Sequence, residues 1–286
     1  MAFLLYGLDE MRFGGQYLFL PPNMTILFCP QCQYTRSWKL RRGKRKCKRC
    51  RHEFSPRRYP VLGFRVTSEE WERCIAVFLR ERTIRRVSEE TGKSHCLTER
   101  MLMHLRESMT DALPDVFQGP LEMDETYIGG QRKNKRLHIR RIGGKKGHGT
   151  DKLPIVGLFD RKTGMVFVVV EPKKLDLLFI LRTLKERALP GATVYTDGFK
   201  MYRQLSRHGF RHDYVDHDHN ELVRGDVHTN NMEGFWGILK RKMGCIGGMR
   251  RKYLHFFVGE IVWKFNHRRM SLSHQEQALR KLVLGD

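Results

Sequence analysis

The spacing of apolar positions changes character once along this chain, from a helical period to a strand period. Between residues 67 and 108 apolar side chains recur every three or four positions, as helices with one buried face require. Ser68-Glu69-Glu70 gives a helix-start signal, and Trp71, Ile75, Phe78 and Leu79 line the face that follows. A short helix over Arg85–Glu90 runs into a break at Thr91-Gly92-Lys93, and a further helix over about 95–107 carries Leu97, Met101, Leu102 and Leu105. Helix, short helix, glycine turn and helix is the layout of a helix-turn-helix, whose last helix would read DNA; a plain helical linker is the alternative. From about residue 119 the segments LEMDETYIG, LPIVGLFD, GMVFVVVEP and ATVYTD read as strands. A helical stretch, LDLLFILRTLKERAL, separates the third from the fourth, so a mixed α/β sheet is predicted. Residues 129–152 interrupt the first hairpin with a glycine-flanked cationic loop, whose cations from Arg132 to Lys146 are expected to contact DNA, with a solvated loop as the alternative. Residues 1–28 give no assignable element.

Composition adds a partner to this outline. A chain of 286 residues, 40% hydrophobic, has room for one large domain and one or two small ones. Its formal charge of +23 is costly in self-repulsion unless a polyanion offsets it, and the cations are clustered. A ribosomal or merely basic soluble protein would spread them. No run of about 20 apolar residues is present, so no membrane crossing is expected. The start, MAFLLYGLDEMRF, lacks a basic leader region and a small-residue cleavage site, so it does not read as a signal peptide. A soluble protein in a reducing compartment is expected: cytoplasmic and nucleoid-associated in a prokaryote, nuclear in a eukaryote.

In such a compartment paired cysteines bind metal more often than they form disulfides. Cys29-Pro-Gln-Cys32 and Cys47-Lys-Arg-Cys50 are separated by 14 residues, and two knuckles joined by a hairpin supply the four soft ligands of a tetrahedral Zn²⁺ site. Four thiolates leave no open position, so this zinc would be structural. Arg41, Arg42, Lys44, Arg45, Lys46, Lys48, Arg49 and Arg51 lie in or beside the second half, where phosphate contact is the expected task. Phe54 is expected to pack on the knuckle, and Tyr34 and Trp38 in the ribbon core, with contact to bases as the alternative. Cys74, Cys96 and Cys245 have no partner spacing and are expected as buried thiols.

Three acids carry the candidate chemistry. Asp124 sits mid-strand between apolar neighbours, where a bare carboxylate is costly. Glu125 would point to the opposite face. Asp197 ends the strand ATVYTD, where a loop begins. Glu233 lies on a helix predicted over about 230–243, with Trp236 and Lys240 on its face and Phe235 and Leu239 as the packing stripe. Acids of this kind can hold two Mg²⁺ or Mn²⁺ ions at a phosphodiester. His219 and His228 precede this helix and could serve as ligands, as proton carriers or as neither.

The two CxxC pairs, MDETYIGG, VYTDGFKMY, VHTNNMEGFWGILKRKMGCIGG and VGEIVWKFNHRR together resemble the ISXO-like insertion-sequence DDE transposases of zinc-ribbon type, a group related to Merlin-type transposons. The resemblance covers roughly residues 29–270. It implies a zinc ribbon over 29–60, a helix-turn-helix-like segment over 61–115, an RNase H-like catalytic domain over 116–270 and a tail over 271–286. It implies cutting at transposon ends and joining to target DNA, by an assembly of at least two copies. Asp124 and Asp197 match the first two catalytic acids. The third is Glu233, or Asn230 one helical turn earlier, and Lys240 matches a basic residue that would contact the DNA end. Two other readings keep the same motifs: a zinc-ribbon regulator on an inactive scaffold, and an RNase H-like nuclease that does not join ends.

Overall fold

The switch in periodicity near residue 119 marks the start of a five-stranded sheet in the computed structural model. The model describes residues 29–285 apart from 30, 33, 35, 55–59, 62, 81–82, 115, 130–136, 142–151, 171–174, 216–223 and 247–249. The chain divides into two compact units: Met1–Leu102 with Leu272–Asp286, and Met103–Ser271. The division falls inside a helix and not near residue 116.

In the first unit a three-stranded antiparallel ribbon is built from β1 (Ser37–Lys39), β2 (Arg45–Cys47) and β3 (Glu53–Phe54). Phe54 packs on Cys29 and Cys47 as expected, and Tyr34 is partly buried beside them. Trp38 departs from expectation. It is 38% exposed, with the Arg51 guanidinium 4.6 Å and the Lys48 ammonium 5.7 Å from its ring centre. The core of so small a ribbon is taken up by the cysteines and Phe54, which leaves the indole to the surface.

Helices α1 (Ser68–Arg80), α2 (Ile84–Thr91) and α3 (His95–Asp111) follow the predicted spans. A capping box starts α1: the Glu70 amide donates to Thr67 Oγ1 at 3.3 Å, and Glu70 Oε2 accepts the Thr67 amide at 2.9 Å. Trp71, Ile75 and Phe78 are buried on its face. Gly92 stops α2 in the left-handed region at φ 65, which glycine adopts without a Cβ clash. The α2–α3 turn is tied back by an ion pair from Lys93 to Glu70. The start of α3 leaves His95, Glu99 and Arg100 exposed. Residues 271–286, expected as a tail, contain helix α8 (Leu272–Leu284), with Leu279, Val283 and Leu284 buried. Cys74 is buried, but Cys96 and Cys245 are exposed, contrary to expectation. Each of those two lies at the end of a helix.

In the second unit the strands are β4 (Leu121–Ile128), β5 (Leu153–Asp160), β6 (Met165–Val170), β7 (Thr193–Asp197) and β8 (Arg211–Val215). Their order is β6-β5-β4-β7-β8, with β4, β5 and β6 antiparallel and β7 and β8 parallel to β4. That is the RNase H-like arrangement the resemblance implied. A short helix α4 (Leu137–Arg141) lies within the β4–β5 insertion, most of which falls outside the described residues. Helix α5 (Leu177–Arg187) packs on one sheet face through Phe179, Ile180, Leu181 and Leu184. Helices α6 (Asn230–Gly244) and α7 (Leu254–Asn266) pack on the other through Met232, Phe235, Trp236, Leu239, Val258 and Val262.

The motif VGEIVWKFNHRR proves to be a docking element of this unit. A Cβ on Gly259 would lie 2.0 Å from Thr110 Oγ1, so glycine lets α7 approach α3 closely. Buried Glu260 accepts from Arg106 Nε at 2.7 Å and Lys264 Nζ at 2.8 Å. Asn266 closes the free edge of β6: its Nδ2 donates to Val166 O at 2.9 Å and its Oδ1 accepts the Val166 amide at 2.8 Å. No helix among the described residues is long and apolar enough to cross a membrane.

Candidate active site

Alternation along β4 divides its side chains between the two helical layers. Leu121 and Met123 join the α5 core, while Glu122 and Asp124 face α6. Asp124 Oδ2 accepts the indole N–H of Trp236 at 2.9 Å, and Oδ1 accepts the Glu125 amide at 2.8 Å. The indole reaches it because Gly157, opposite Asp124 on β5, has no side chain. A Cβ there would lie 2.3 Å from Met232 and 2.8 Å from the Trp236 ring.

Asp197 closes β7, and its Oδ1 accepts the Phe199 amide at 3.1 Å. Glu233 sits in the first turn of α6, where helix-terminal N–H groups favour negative charge, and its Oε1 accepts from Thr229 Oγ1 at 3.2 Å. These acids are close enough to act on one another. Burial first, then the charge of Asp197 and finally that of Glu233 push Asp124 up to about 7, against the two hydrogen bonds it accepts. Glu125 is pushed up to about 8 by burial, with Asp197 and Asp124 adding to it, although the Tyr202 hydroxyl donates to its carboxylate. Burial and the Glu125 charge raise Tyr202 far above its ordinary value, so it stays a donor. Glu125 thus faces away from Asp124, as expected, yet belongs to the same electrostatic cluster.

Asn230 is the first residue of α6 and is exposed; Lys240, two turns beyond Glu233, is exposed as well. His228 is not brought to the acids. Its Nδ1 lies 3.3 Å from Glu122 Oε1, and its carbonyl accepts from Arg161. His219 lies outside the described residues.

Sequence reasoning missed Glu122, which holds the assembly together. It is fully buried. Oε2 accepts the Asn231 and Met232 amides at 2.9 and 3.1 Å, satisfying two N–H groups that the start of α6 leaves open. Oε1 accepts from Asn231 Nδ2 and Arg161 Nε, each at 2.7 Å. A carboxylate two residues before Asp124, on the same face of a strand, was the available signal.

The donor chemistry fits divalent cations at the acids: the ligands are all oxygen, and the repulsion that raises Asp124 is what a cation offsets. The cysteines fit a softer ion. Among the described residues only Cys29, Cys32, Cys47 and Cys50 gather as a group of three or more ligand atoms within 4.8 Å of one another. Sγ pairs lie at 3.4 Å. Burial works against Cys47, but the Cys50 and Arg49 amides hold it down to about 6. Against a backbone bond at His52, burial and the neighbouring sulfurs push Cys50 up to about 12. A thiolate at Cys47 is the form in which a cysteine ligates a metal ion.

Residues 116–266 match the model of the ISXO2-like transposase domain. The chain is 31% identical over 242 residues to a protein in transposable element ISH50 of Halobacterium salinarum, covering 80% of this chain and 81% of that one. It is 27% identical over 120 residues to a transposase-like protein of Haemophilus influenzae, covering 42% of this chain and 94% of that one. Among solved structures, the HTLV-2 integrase catalytic core domain with magnesium aligns at 13% identity and a TM-score of 0.28, over 54% of this chain and 86% of that one. A simian T-cell lymphotropic virus intasome bound to the PP2A regulatory subunit B56 gamma aligns at 11% identity and a TM-score of 0.31, over 68% of each chain.

Proposed function

The chain belongs to the family of ISXO2-like transposase domains, and from that premise we propose that it cuts DNA at the ends of an insertion element and joins them to target DNA. The observation that supports this reading is placement: Asp124 lies on β4 and is held by the Trp236 indole of α6, Asp197 ends β7, and Glu233 lies in the first turn of α6. Asp124, Asp197 and Glu233 would hold Mg²⁺ or Mn²⁺, which would supply Lewis acidity for attack by water on a phosphodiester. The chain's own groups set the acids in place. Trp236 and the Glu125 amide orient Asp124, the Phe199 amide orients Asp197, and Thr229 orients Glu233. Glu122 anchors the start of α6 to β4, which fixes the third acid against the first.

In the cutting step water forms one P–O bond and a 3′-oxygen leaves as a free hydroxyl. In the joining step that hydroxyl attacks a target phosphodiester and displaces its 3′-oxygen, so one P–O bond is made and one broken each time. Lys240, exposed two turns beyond Glu233, would contact a phosphate of the bound end. Cys29, Cys32, Cys47 and Cys50 hold a structural Zn²⁺ that fixes the cationic ribbon, and the ribbon and the α2–α3 pair bind the terminal repeat. Processing two ends calls for at least a dimer.

The test is incubation with Mg²⁺ and DNA carrying the element's own flanking repeats. Products in which donor ends are covalently joined to target DNA are expected. Binding without cutting, or cutting without joined products, contradicts the proposal. Glu233→Gln is expected to abolish both steps; if Asn230→Ala does so and Glu233→Gln does not, the third position moves to Asn230.

A further inference from the structure

A cavity lies at the β5–β6 turn; Arg161, His228 and Asn231 in its lining also face Glu122, whereas Lys162, Arg268 and Arg269 have no part in the acid site. It is an open depression of about 370 Å³, and its polar lining includes Arg161, Lys162, Thr163, His228, Arg268 and Arg269. Among the described residues no carboxylate lines it. Asp160, next to it in sequence, is fully buried and occupied with the Lys162 amide at 2.8 Å and Thr163 Oγ1 at 3.1 Å, so it shapes the turn and does not neutralise the cavity.

The cations differ in how they are partnered. Arg161 is compensated by Glu122 and by the Asp226 and His228 carbonyls. Arg268 donates to the Phe265 carbonyl at 2.8 Å and the Gly164 carbonyl at 3.1 Å, which covers the end of α7 without supplying a negative charge. Among the described residues no acid pairs with Lys162, Arg268 or Arg269. Burial and the adjacent Arg269 both lower Arg268, so the cavity gathers mutually repelling cations around open space. An anion with several acceptor oxygens relieves that repulsion, and guanidinium groups match a phosphate in geometry.

We propose that this cavity binds a phosphate of duplex DNA, as a backbone contact separate from the acids that cut. The proposal rests on the reading of the chain as a DNA-processing enzyme, which makes the polynucleotide the source of the phosphate. Lys162, Arg268 and Arg269 are all exposed; Lys162 and Arg269 make the contact, while Arg268 holds the turn against α7.

The experiment is fluorescence anisotropy of a labelled duplex with the full chain across a salt series. It compares Lys162→Gln with Arg269→Gln against a charge-matched pair elsewhere in the same unit, Lys185→Gln with Arg207→Gln, after circular dichroism shows equal folding. Affinity scales as salt to the power of about −0.9 per phosphate contact. The cavity pair is therefore expected to lower the slope of log K against log salt by about 2 and weaken binding about 30-fold near 0.15 M, more than the control pair. Lys162→Arg with Arg269→Lys keeps the charges and is expected to keep the slope. An unchanged slope in the cavity pair, or an equal fall in both pairs, overturns the proposal. So does a ³¹P titration in which inorganic phosphate binds at the cavity while the DNA slope does not move. Cleavage is scored separately: a chain that shows the slope change yet cuts no DNA keeps the phosphate site and loses the proposed function.

Discussion

Replacing Glu122 by alanine removes the group that joins α6 to β4, and the structure sets the scale of the loss. The carboxylate is fully buried and accepts four hydrogen bonds: from Arg161 Nε and Asn231 Nδ2 at 2.7 Å, and from the Asn231 and Met232 amides at 2.9 and 3.1 Å. Alanine leaves the Arg161 guanidinium facing an apolar gap and two helix-terminal amides without acceptors. Removing one member of a buried charge pair costs about 3–5 kcal/mol. In a unit of this size each kcal/mol lowers Tm by about 2–4 °C, so a fall of about 6–20 °C is expected. Glu122→Gln keeps one acceptor oxygen and should fall between the two. The assay is thermal and urea unfolding followed by circular dichroism, run as a double-mutant cycle with Arg161→Ala. The double variant should be less destabilised than the sum of the singles, by about 1–3 kcal/mol. A Tm change under about 2 °C for Glu122→Ala, or additivity within about 0.5 kcal/mol, refutes the reasoning.

Gly157→Ala sets a Cβ 2.3 Å from Met232 and 2.8 Å from the Trp236 ring, so it should cost about 1–3 kcal/mol and draw the indole off Asp124. An unshifted indole N–H resonance would contradict this. Asp124, raised from 3.8 to about 7, makes the folded state bind its proton more tightly than the unfolded chain does. Its stabilising share is thus present below the unfolded pKa and lost as pH rises through about 7. In chelator, Asp124→Asn should therefore raise Tm over wild type at pH ~8 and lose that advantage toward pH ~4; an advantage equal at both pH values speaks against the assignment. Cys47→Ala should reduce zinc content, measured by atomic absorption, from about one ion per chain to near none. Full zinc retention would remove Cys47 from the ligand set.

Local signals made much of this molecule legible. The helix starting at Thr67, the Gly92 stop, the strand β4 with Asp124 at its middle and the helix carrying Glu233 each follow from residues adjacent in sequence. What escaped depends on partners distant in the chain. Strand β8, RHDYV, is an edge strand whose polar residues hide its pairing with β7. Glu122 looked like any strand glutamate until Asn231 and Met232, more than 100 positions away, were seen to cap on it. Gly157 reads as a strand defect until Trp236 arrives opposite it. Trp38 lies at the surface because the cysteines and Phe54 fill the core of so small a ribbon.

The central claim is that Asp124 and Asp197 form the centre that cuts DNA, and gel analysis of nicked terminal-repeat DNA in Mg²⁺ tests it most directly. Wild-type chain, Asp124→Asn and Asp197→Asn are compared at matched end occupancy, set by mobility shift. Wild type is predicted to release 3′-hydroxyl ends, and both variants to bind the same DNA with no cut product. Cleavage by either variant at a rate near wild type would contradict the account.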